Sequence, residues 1–545
     1  MKCGKHLKAV LLLIYVHLRV LVSKFWHNLV LLKNSIDFKI VAKSNRGQTN
    51  TPMKKWGVPK DEFTKIVLAD YFPIPEWCVI NGAIAEEINS RFGSTLYIFS
   101  DRRLPQSKIV NLDFIQNYKF LQVKLNFGQK CWRLIKLYKI FLEVTNPDDV
   151  INFEIDGVNI GLDVYESTLR LGYPTVKLQN LNLYRIFFQA ITEYIFFQPL
   201  FEDKKVVACL LSHDNYVGPG SLAKVANKYC VPVILANPYE INIVSKPFEN
   251  YQRYLRYKQY FMSLDQKSKE SALELSKKAL EMRLTGSIGI GMRYQIESAF
   301  ENTNVVRQLS QTQKKKILVL THDYYDNPHG YSRLPFRDFW EWLLFLSVVS
   351  RQTDYEWYIK CHKDYSLLEI GETEKFIKEN PNFKLINPET SFHQLSSEGI
   401  DLALTCFGTV GHELPLLGIP VVNASHNPHI SYNFNLHAPS LEGYREILRN
   451  SNTWKLDDMK ISEIYEFYYV HYFMIHNDDY LIKNFSNYLE LSNSDRHLFL
   501  SNNLDAIKGL TKLEFSSALE NRRKFSVEKC LSVSQQDKFP ENFFI

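Results

Sequence analysis

The chain has 545 residues, 45% hydrophobic and 23% charged, so it is long enough for two or three domains that each bury a core. The formal net charge of +6 is too small to predict nucleic-acid binding, although it suits a protein beside an anionic membrane surface or one that handles anionic substrates. The eight cysteines include no CxxC pair, so the sequence offers neither a zinc site nor a disulfide framework, and a reducing cytoplasm is the simpler interpretation.

Residues 9–22 form an apolar run that three lysines precede. The run is shorter than the roughly 20 residues that span a bilayer, and it contains His17 and Arg19. We therefore predict a segment that rests on the cytoplasmic face of a membrane; a plain N-terminal helix and a signal peptide are the alternatives. Residues 43–60 have the composition of a linker, so that residues 1–60 precede the first folded domain.

Strands alternate with helices in residues 61–245, which predicts a parallel sheet covered by helices on both faces. The predicted strands and helices are, in chain order, 65–70, a helix over 81–92, 94–100, 150–155, a helix over 163–171, 206–211, a helix over 221–229, and 231–236. Residues 246–312 lack strands and contain a charged amphipathic helix, so we interpret them as a helical connector.

Residues 313–460 repeat this alternation and predict a second domain of the same kind. Its predicted elements are strands at 316–320, 356–360 and 383–386 and helices over 335–350 and 367–379. The stretch from Asp401 to Asn423 then predicts a strand, a Gly-Thr-Val-Gly turn, a short helix, a glycine stop and a second strand. Residues 461–545 predict a helical C-terminal region. The fold class is therefore α/β, with two Rossmann-like domains facing a cleft.

The Gly-Thr-Val-Gly turn is the strongest candidate binding site. A glycine turn at a helix start presents backbone N–H groups to a phosphate, and the helix dipole favours the negative charge. The candidate residues are Gly408, Thr409, Val410 and Gly411, with Glu413 one turn later. The alternative is an ordinary helix start with a solvated Glu413. Pro415 predicts that the helix is short.

Three more polar stretches follow predicted strands of the second domain, where ligands of parallel sheets bind. Lys360 and His362 end one strand and suit a phosphate. The other candidates are His322, Asp323, His329 and Arg333 in the loop after residue 320, and Ser425, His426 and His429 in the loop after residue 423. Each loop has an alternative interpretation as a polar turn without a ligand. The histidines and aspartates in the loop after residue 320 are spaced too loosely to favour a metal site.

In the first domain, polar residues follow two predicted strands. Asp156 precedes a glycine, and His213 and Asp214 follow residue 212. A carboxylate and a histidine at adjacent strand ends can act as general base or nucleophile. Each is equally explained as a cap or turn residue.

These motifs resemble those of GT-B-type glycosyltransferases, and in particular enzymes of capsule and surface polysaccharide synthesis similar to Kdo- and sialyltransferases. The resemblance covers residues 316–363 and 396–447, with a fainter likeness at residues 156–161 and 211–216. It implies that Glu413 accepts ribose hydroxyls, that His362 lies near the nucleotide, and that Asp156 is a catalytic acidic residue. Lys363 stands where the related enzymes carry a proline after the histidine, which is a departure from the pattern.

The resemblance implies transfer of a sugar from a nucleotide-activated donor, CMP- or UDP-linked, to a glycan or lipid-linked acceptor at the inner face of the cytoplasmic membrane. It implies no cofactor and no metal, since the nucleotide sugar is a substrate. Alternatives within the fold are a sugar-nucleotide 2-epimerase and a glycerol-phosphate transferase; outside catalysis, the alternative is a glycan-binding assembly scaffold. On this basis Glu413→Ala is expected to impair donor use while leaving the fold intact.

Overall fold

The structure, a computed structural model, describes residues 10–16, 18, 65–70, 74–100, 114–115, 118–238, 240–244, 253–288, 297–301, 306–330, 334–362, 367–424, 427–438, 440–456, 459–475 and 491–529. Most of the predicted N-terminal segment and linker lies outside these residues, as do Arg333, Ser425 and His426. Residues 10–16 are helical. Within the described ranges, no helix has the length and apolar character needed to cross a membrane.

The described residues divide into two compact units. The first contains the residues up to 168, residues 176–244 and residues 491–529; the second contains residues 169–175 and 253–475. The helices at residues 257–284 thus belong to the second unit. The predicted C-terminal region 461–545 is shared, since residues 491–529 return to the first unit.

The first unit is built on a six-stranded sheet with the strand order β3-β2-β1-β6-β7-β8. All neighbouring strands are parallel except β7 and β8. The six strands are β1 Ile66–Ala69, β2 Thr95–Ser100, β3 Tyr118–Gln122, β6 Val206–Leu211, β7 Val233–Asn237 and β8 Glu240–Val244; the small hairpin is β4 Glu154–Ile155 with β5 Val158–Asn159.

Helices cover both faces of this sheet, which explains its near-continuous apolar strands. They are α1 Pro75–Phe92, α2 Phe127–Glu143, α3 Pro147–Ile151, α4 Gly161–Leu169, α5 Leu181–Glu202 and α6 Ser221–Lys228, with α15 Asn493–Asn502 and α16 Leu504–Lys529 from the end of the chain. Side chains of α1, α15 and α16 share one core with the strand residues Val67 and Leu210. On the opposite face, Phe99 of β2 contacts Phe197 of α5.

The second unit has a parallel six-stranded sheet with the strand order β11-β10-β9-β12-β13-β14. Its elements are α7 Tyr257–Met262, α8 Gln266–Leu284, β9 Lys316–Leu320, α9 Phe339–Ser350, β10 Glu356–Lys360, α10 Leu367–Glu379, β11 Phe383–Leu385, α11 Phe392–Glu398, β12 Leu402–Thr405, α12 Val410–Glu413, β13 Val421–Asn423, β14 Leu436–His437, α13 Leu441–Arg449 and α14 Glu463–Tyr468. Alternate strand residues enter two separate cores, one on each face.

Both sheets have the order of a Rossmann-like doubly wound fold, so the predicted fold class of two such domains is confirmed. The stretch from Asp401 to Asn423 also folds as predicted: the helix is only four residues long, and Gly418 ends the following turn at a positive φ of 79°. The predicted strand at 150–155 is wrong over residues 150–153, and only Glu154–Ile155 form a strand. Pro147 starts a helix there, because Asn146 and Asp149 form a capping box.

Candidate functional site

The strand order reverses direction between β9 and β12 in the second sheet and between β1 and β6 in the first. Open α/β sheets bind ligands beside the carboxyl ends of strands at such a switch point. In the second unit this edge carries His322, two residues after β9, and Thr405, the last residue of β12. In the first unit it carries Asp70 after β1 and Ser212 after β6.

His322 holds the glycine turn of the second unit in place. Its Nε2 accepts the amide N–H groups of Cys406 and Phe407 at 3.2 and 3.4 Å and lies 3.1 Å from the Thr405 hydroxyl oxygen. The ring packs between Phe339 and Phe407. Burial, with a smaller contribution from His362, lowers the pKa of His322 to about 3, so the ring is neutral and carries its hydrogen on Nδ1.

The turn leaves two amides at the start of α12 available to a ligand. The Gly408 N–H donates to the Thr405 hydroxyl oxygen at 3.0 Å, while the N–H groups of Gly411 and His412 bond to carbonyl oxygens within the turn. No described residue accepts a hydrogen bond from the amides of Thr409 and Val410, and both residues are partly exposed. The turn can therefore offer two adjacent donors to an anion.

Gly411 is required by close packing rather than by backbone conformation. A Cβ at this position would lie 2.5 Å from Cε1 and 2.7 Å from Nδ1 of the His429 ring. The carbonyl of Gly411 accepts a hydrogen bond from Asn435 Nδ2 at 3.1 Å. The glycine thus lets the loop that carries His429 pack directly against α12.

Glu413 is buried in an ion pair and does not face solvent. Its side chain is 1% exposed, and that of its partner Arg283 on α8 is 2% exposed. The Glu413 carboxylate accepts Arg283 Nε–H at 2.8 Å through Oε1 and the Thr409 hydroxyl at 3.1 Å through Oε2. Both oxygens are therefore already bonded to protein donors. The solvated Glu413 of the alternative interpretation is not observed, and a contact with ribose stays a prediction.

His429 pairs with His412 inside an aromatic cluster. His412 Nδ1 and His429 Nε2 are 3.1 Å apart, and both rings contact Phe467 of α14. Burial lowers the pKa of His412 to about 4 and holds the pKa of His429 well below its usual range. The two rings are thus neutral, and their buried position makes His429 a packing element of the site.

Lys360 and His362, although close in sequence, lie in different surroundings. The Lys360 ammonium is buried, donates to the Pro388 carbonyl at 2.7 Å and lies over the Phe392 ring. His362 is partly exposed and close enough to His322 to lower its pKa. Of the pair, His362 is thus the residue that acts electrostatically on His322, and the predicted phosphate contacts of Lys360 and His362 stay predictions.

The loop after β9 folds largely on itself. Asp323 Oδ1 accepts the Tyr325 N–H at 2.7 Å, and the His329 N–H donates to Asn327 Oδ1 at 2.9 Å. These are Asx-type turn contacts, which explain the density of polar residues. The roles predicted for Arg333, Ser425 and His426 concern positions outside the described residues.

In the first unit, a hydrogen-bonded chain of side chains lies at the switch point. Asp70 Oδ1 accepts the Ser212 N–H at 2.9 Å, and the Ser212 hydroxyl donates to Asp70 Oδ2. The Ser212 oxygen is 3.0 Å from Nδ1 of His213, whose side chain is exposed. Burial raises the pKa of Asp70 to about 7, an effect that the two bonds from Ser212 oppose.

Asp214 lies near a second charged group at the same edge. Asp163 of α4 is buried and pairs with Lys224 of α6 at 2.7 Å. Burial raises the pKa of Asp163 to about 7; the charge of Lys224 opposes this rise, and those of Glu166 and Asp214 add to it. A Cβ at Gly220 would lie 2.7 Å from Asp163 Oδ1, so the glycine admits this carboxylate at the start of α6.

Asp156 lies apart from His213 and Asp214, which corrects the expectation that they share one strand edge. Asp156 and Gly157 form the two-residue turn of the β4–β5 hairpin, with φ values of 51° and 76°. An Asp-Gly pair with two positive φ angles is typical of a type I′ turn. Lys228, the last residue of α6, donates to the Asp156 carbonyl at 2.9 Å, whereas the loop with His213 precedes the first residue of that helix.

Sequence reasoning missed Asp70, Thr405 and Arg283. Asp70 and Thr405 had a usable signal, since each lies at the end of an apolar strand of the switch point. Arg283 had none, because it lies 130 residues from Glu413 on an amphipathic helix. Among the described residues, no group of three or more His, Cys, Asp or Glu side chains has the geometry to hold a metal ion.

The solved structures that are similar to this chain include two transferases and a sugar-nucleotide epimerase. KpsC β-Kdo 2,4 transferase from Thermosulfurimonas dismutans matches at 13% identity over 49% of this chain and 81% of that chain, with a TM-score of 0.29. A glycosyltransferase from Rickettsia africae ESF-5 matches at 10% identity over 82% and 98%, with a TM-score of 0.26. UDP-GlcNAc 2-epimerase from Neisseria meningitidis matches at 14% identity over 75% and 97%, with a TM-score of 0.23.

No family model and no curated protein matches the chain. At these TM-scores the solved structures carry no argument about activity. The Rossmann-like fold of each unit rests on the strand order of its own sheet.

Proposed function

We propose that this protein is a glycosyltransferase that moves a sugar from a nucleotide-activated donor to a glycan or lipid-linked acceptor in surface polysaccharide synthesis. In this proposal the second unit binds the nucleotide and the first unit binds the acceptor. The reaction takes place at the inner face of the cytoplasmic membrane. The nucleotide sugar is a substrate, and the reaction needs no resident cofactor.

The observation that carries the proposal is the pair of amides at Thr409 and Val410. They lie at the switch point of the second sheet, and no described residue accepts a hydrogen bond from them. Preorganised N–H donors stabilise the negative charge that develops on a leaving phosphate. His322 and Thr405 fix the preceding turn through four hydrogen bonds, so the two amide groups are held in position before the nucleotide sugar binds.

The role of Glu413 in this proposal is indirect. Its carboxylate bonds to Arg283 and to the Thr409 hydroxyl, so it fixes the start of α12 rather than contacting the donor. In the first unit, His213 is the group that removes the proton from the acceptor hydroxyl. An exposed histidine at a switch point suits a general base, because the ordinary pKa of imidazole lies near neutral pH.

Calorimetry with CMP, CDP, UMP and UDP tests the nucleotide site. Thr409 has a φ of −57°, which a proline can adopt, so Thr409→Pro deletes the amide donor at little backbone cost. Thr409→Ala is the matched control, because it loses the same hydroxyl but keeps the amide. A hydrogen bond to a charged phosphate contributes roughly 1.5–3 kcal/mol, so the affinity of Thr409→Pro is expected to be about 10- to 100-fold lower than that of Thr409→Ala.

Two results would contradict the proposal. Equal nucleotide affinities of the two variants would remove the Thr409 amide from the site. Failure of the wild-type protein to bind any of the four nucleotides would favour a glycan-binding scaffold. If a nucleotide binds, the corresponding nucleotide sugars are incubated with and without oligosaccharide acceptors: nucleotide release that requires an acceptor supports transfer, while an isomerised sugar nucleotide without acceptor indicates a 2-epimerase.

A further inference from the structure

The hydrogen bonds that link Asp70, Ser212 and His213 connect the ends of the two central strands of the first sheet. Asp70 directly follows β1 and is 6% exposed, while Ser212 and His213 directly follow β6. These hydrogen bonds therefore lead from a buried carboxylate to an exposed imidazole across the switch point. Trp77 of α1 and Tyr216 flank the His213 ring, with ring centroids 6.1 and 6.3 Å away.

The directions of the hydrogen bonds determine which nitrogen of His213 is protonated. Above pH 7, where Asp70 is ionised, its carboxylate can only accept, so the single hydrogen of the Ser212 hydroxyl points to Asp70 Oδ2. The Ser212 oxygen can then only accept from His213 Nδ1, which lies 3.0 Å away. The hydrogen of the neutral ring therefore resides on Nδ1, and Nε2 carries the lone pair.

We propose that Asp70 is a positioning residue that acts through the Ser212 hydroxyl to hold His213 in the tautomer whose Nε2 accepts a proton. This inference rests on the proposed function for the identity of the proton donor, which is the hydroxyl of the sugar acceptor. In the transfer step the acceptor O–H bond breaks and its proton moves to Nε2. The acceptor oxygen bonds to the anomeric carbon, and the bond from that carbon to its leaving oxygen breaks, with the electron pair staying on that oxygen.

The same hydrogen bonds stabilise the imidazolium that forms when His213 takes up the proton. Once Nε2 is protonated, Nδ1–H continues to donate to the Ser212 oxygen, and the Ser212 hydroxyl continues to donate to the Asp70 carboxylate. No group has to reorient during the proton transfer, which is the condition under which such electrostatic stabilisation is effective. The Asp70 carboxylate supplies the compensating negative charge from the buried end.

Asp70→Asn tests the inference because it reverses the direction of the hydrogen bonds through Ser212, while the Asn side chain has nearly the same shape as Asp. The Asn oxygen keeps the Ser212 N–H bond, and the Asn amide then donates to the Ser212 oxygen. The Ser212 hydrogen must turn to His213 Nδ1, so the hydrogen of the ring moves to Nε2. Nitrogen NMR of the full chain with ¹⁵N-labelled histidine, at pH 8.5, reads the tautomer, and His213→Gln assigns the signals.

We expect His213 to be protonated on Nδ1 in the wild type and on Nε2 in Asp70→Asn. Asp265→Asn is the matched control, since Asp265 accepts the Ser268 N–H and hydroxyl in the same way but without a histidine. Ser212→Ala is a second variant that breaks the link and leaves the buried carboxylate in place; it is expected to yield a mixture of tautomers. A wild-type ring protonated on Nε2, or one that Asp70→Asn leaves unchanged, overturns the inference.

Kinetics separate this inference from the proposed function. With a transferable donor, Asp70→Asn is expected to lower kcat by 100-fold or more, as typical of a lost general base, while nucleotide affinity stays that of the wild type. An unchanged kcat would overturn the positioning role. A reversed tautomer in a protein whose wild type transfers no sugar would refute the proposed function and leave the assignment of the His213 tautomer intact.

Discussion

The buried pair of Glu413 and Arg283 leads to a prediction opposite to the one that the sequence alone favours. Glu413→Ala removes a carboxylate that is 1% exposed and takes its ion pair away from the guanidinium of Arg283, itself 2% exposed. Removing one partner of a buried ion pair costs about 3–5 kcal/mol. We therefore expect Glu413→Ala to lower the stability of the second unit by about that amount, rather than to leave the fold intact.

Urea unfolding followed by tryptophan fluorescence measures this loss. The control is Glu442→Ala, which breaks the exposed ion pair with Arg445 in the same unit, and should cost about 0–1 kcal/mol. The double variant Arg283→Met with Glu413→Leu should recover part of the stability lost in Glu413→Ala, since both substituted side chains are uncharged. A Glu413→Ala protein as stable as Glu442→Ala, but with a weakened nucleotide affinity, would refute this reasoning and restore a direct contact with the donor.

Three further predictions follow from the packing and protonation of the two switch points. Gly411→Ala places a methyl group 2.5 Å from the His429 ring and should cost about 1–3 kcal/mol in urea unfolding, whereas Gly371→Ala, with open space around it inside a helix, should stabilise by up to about 1 kcal/mol. Because burial raises the pKa of Asp70 to about 7, the folded state between pH 4 and 7 holds a proton that the unfolded state has lost. The free energy of unfolding should therefore fall as the pH rises from 4 to 7, by up to ~1.4 kcal/mol per pH unit. Asp70→Asn should remove this contribution from the pH profile. Thr405→Val deletes the hydroxyl that holds the glycine turn, and should weaken nucleotide binding in calorimetry; an affinity equal to that of the wild type would show that the turn does not depend on that hydroxyl.

The parts of the fold that the sequence predicts well are those encoded by local patterns. The strand, glycine turn and short helix around residue 410 follow from apolar runs, Pro415 and Gly418, which act on their immediate neighbours. Asp156 was misplaced because an acidic residue before glycine fits both a strand end and a type I′ turn. The hairpin is only two residues on each side, which is too short for an alternating pattern to register.

The candidate site was predicted in part because its partners come from distant positions. Of the residues at the carboxyl edges of the sheets, Gly408, His322 and His213 were recognised from sequence, whereas Asp70 and Thr405 were missed. Which of them bond to each other depends on strand order: Asp70 meets Ser212 across 142 residues, and His322 meets Thr405 across 83. A sequence without aligned relatives contains no signal for such pairs.

The return of the last helices to the first unit has a consequence for biosynthesis. Lys508 of α16 bonds to Glu86 of α1 at 2.6 Å, and Ile507 and Phe515 complete the apolar core beneath the first sheet. A ribosome makes the strands of that sheet first, yet the residues that close its core are added only after the whole second unit has been translated. We therefore expect the second unit to reach its native state earlier, and the nascent first unit to expose an unfinished apolar face that chaperones recognise.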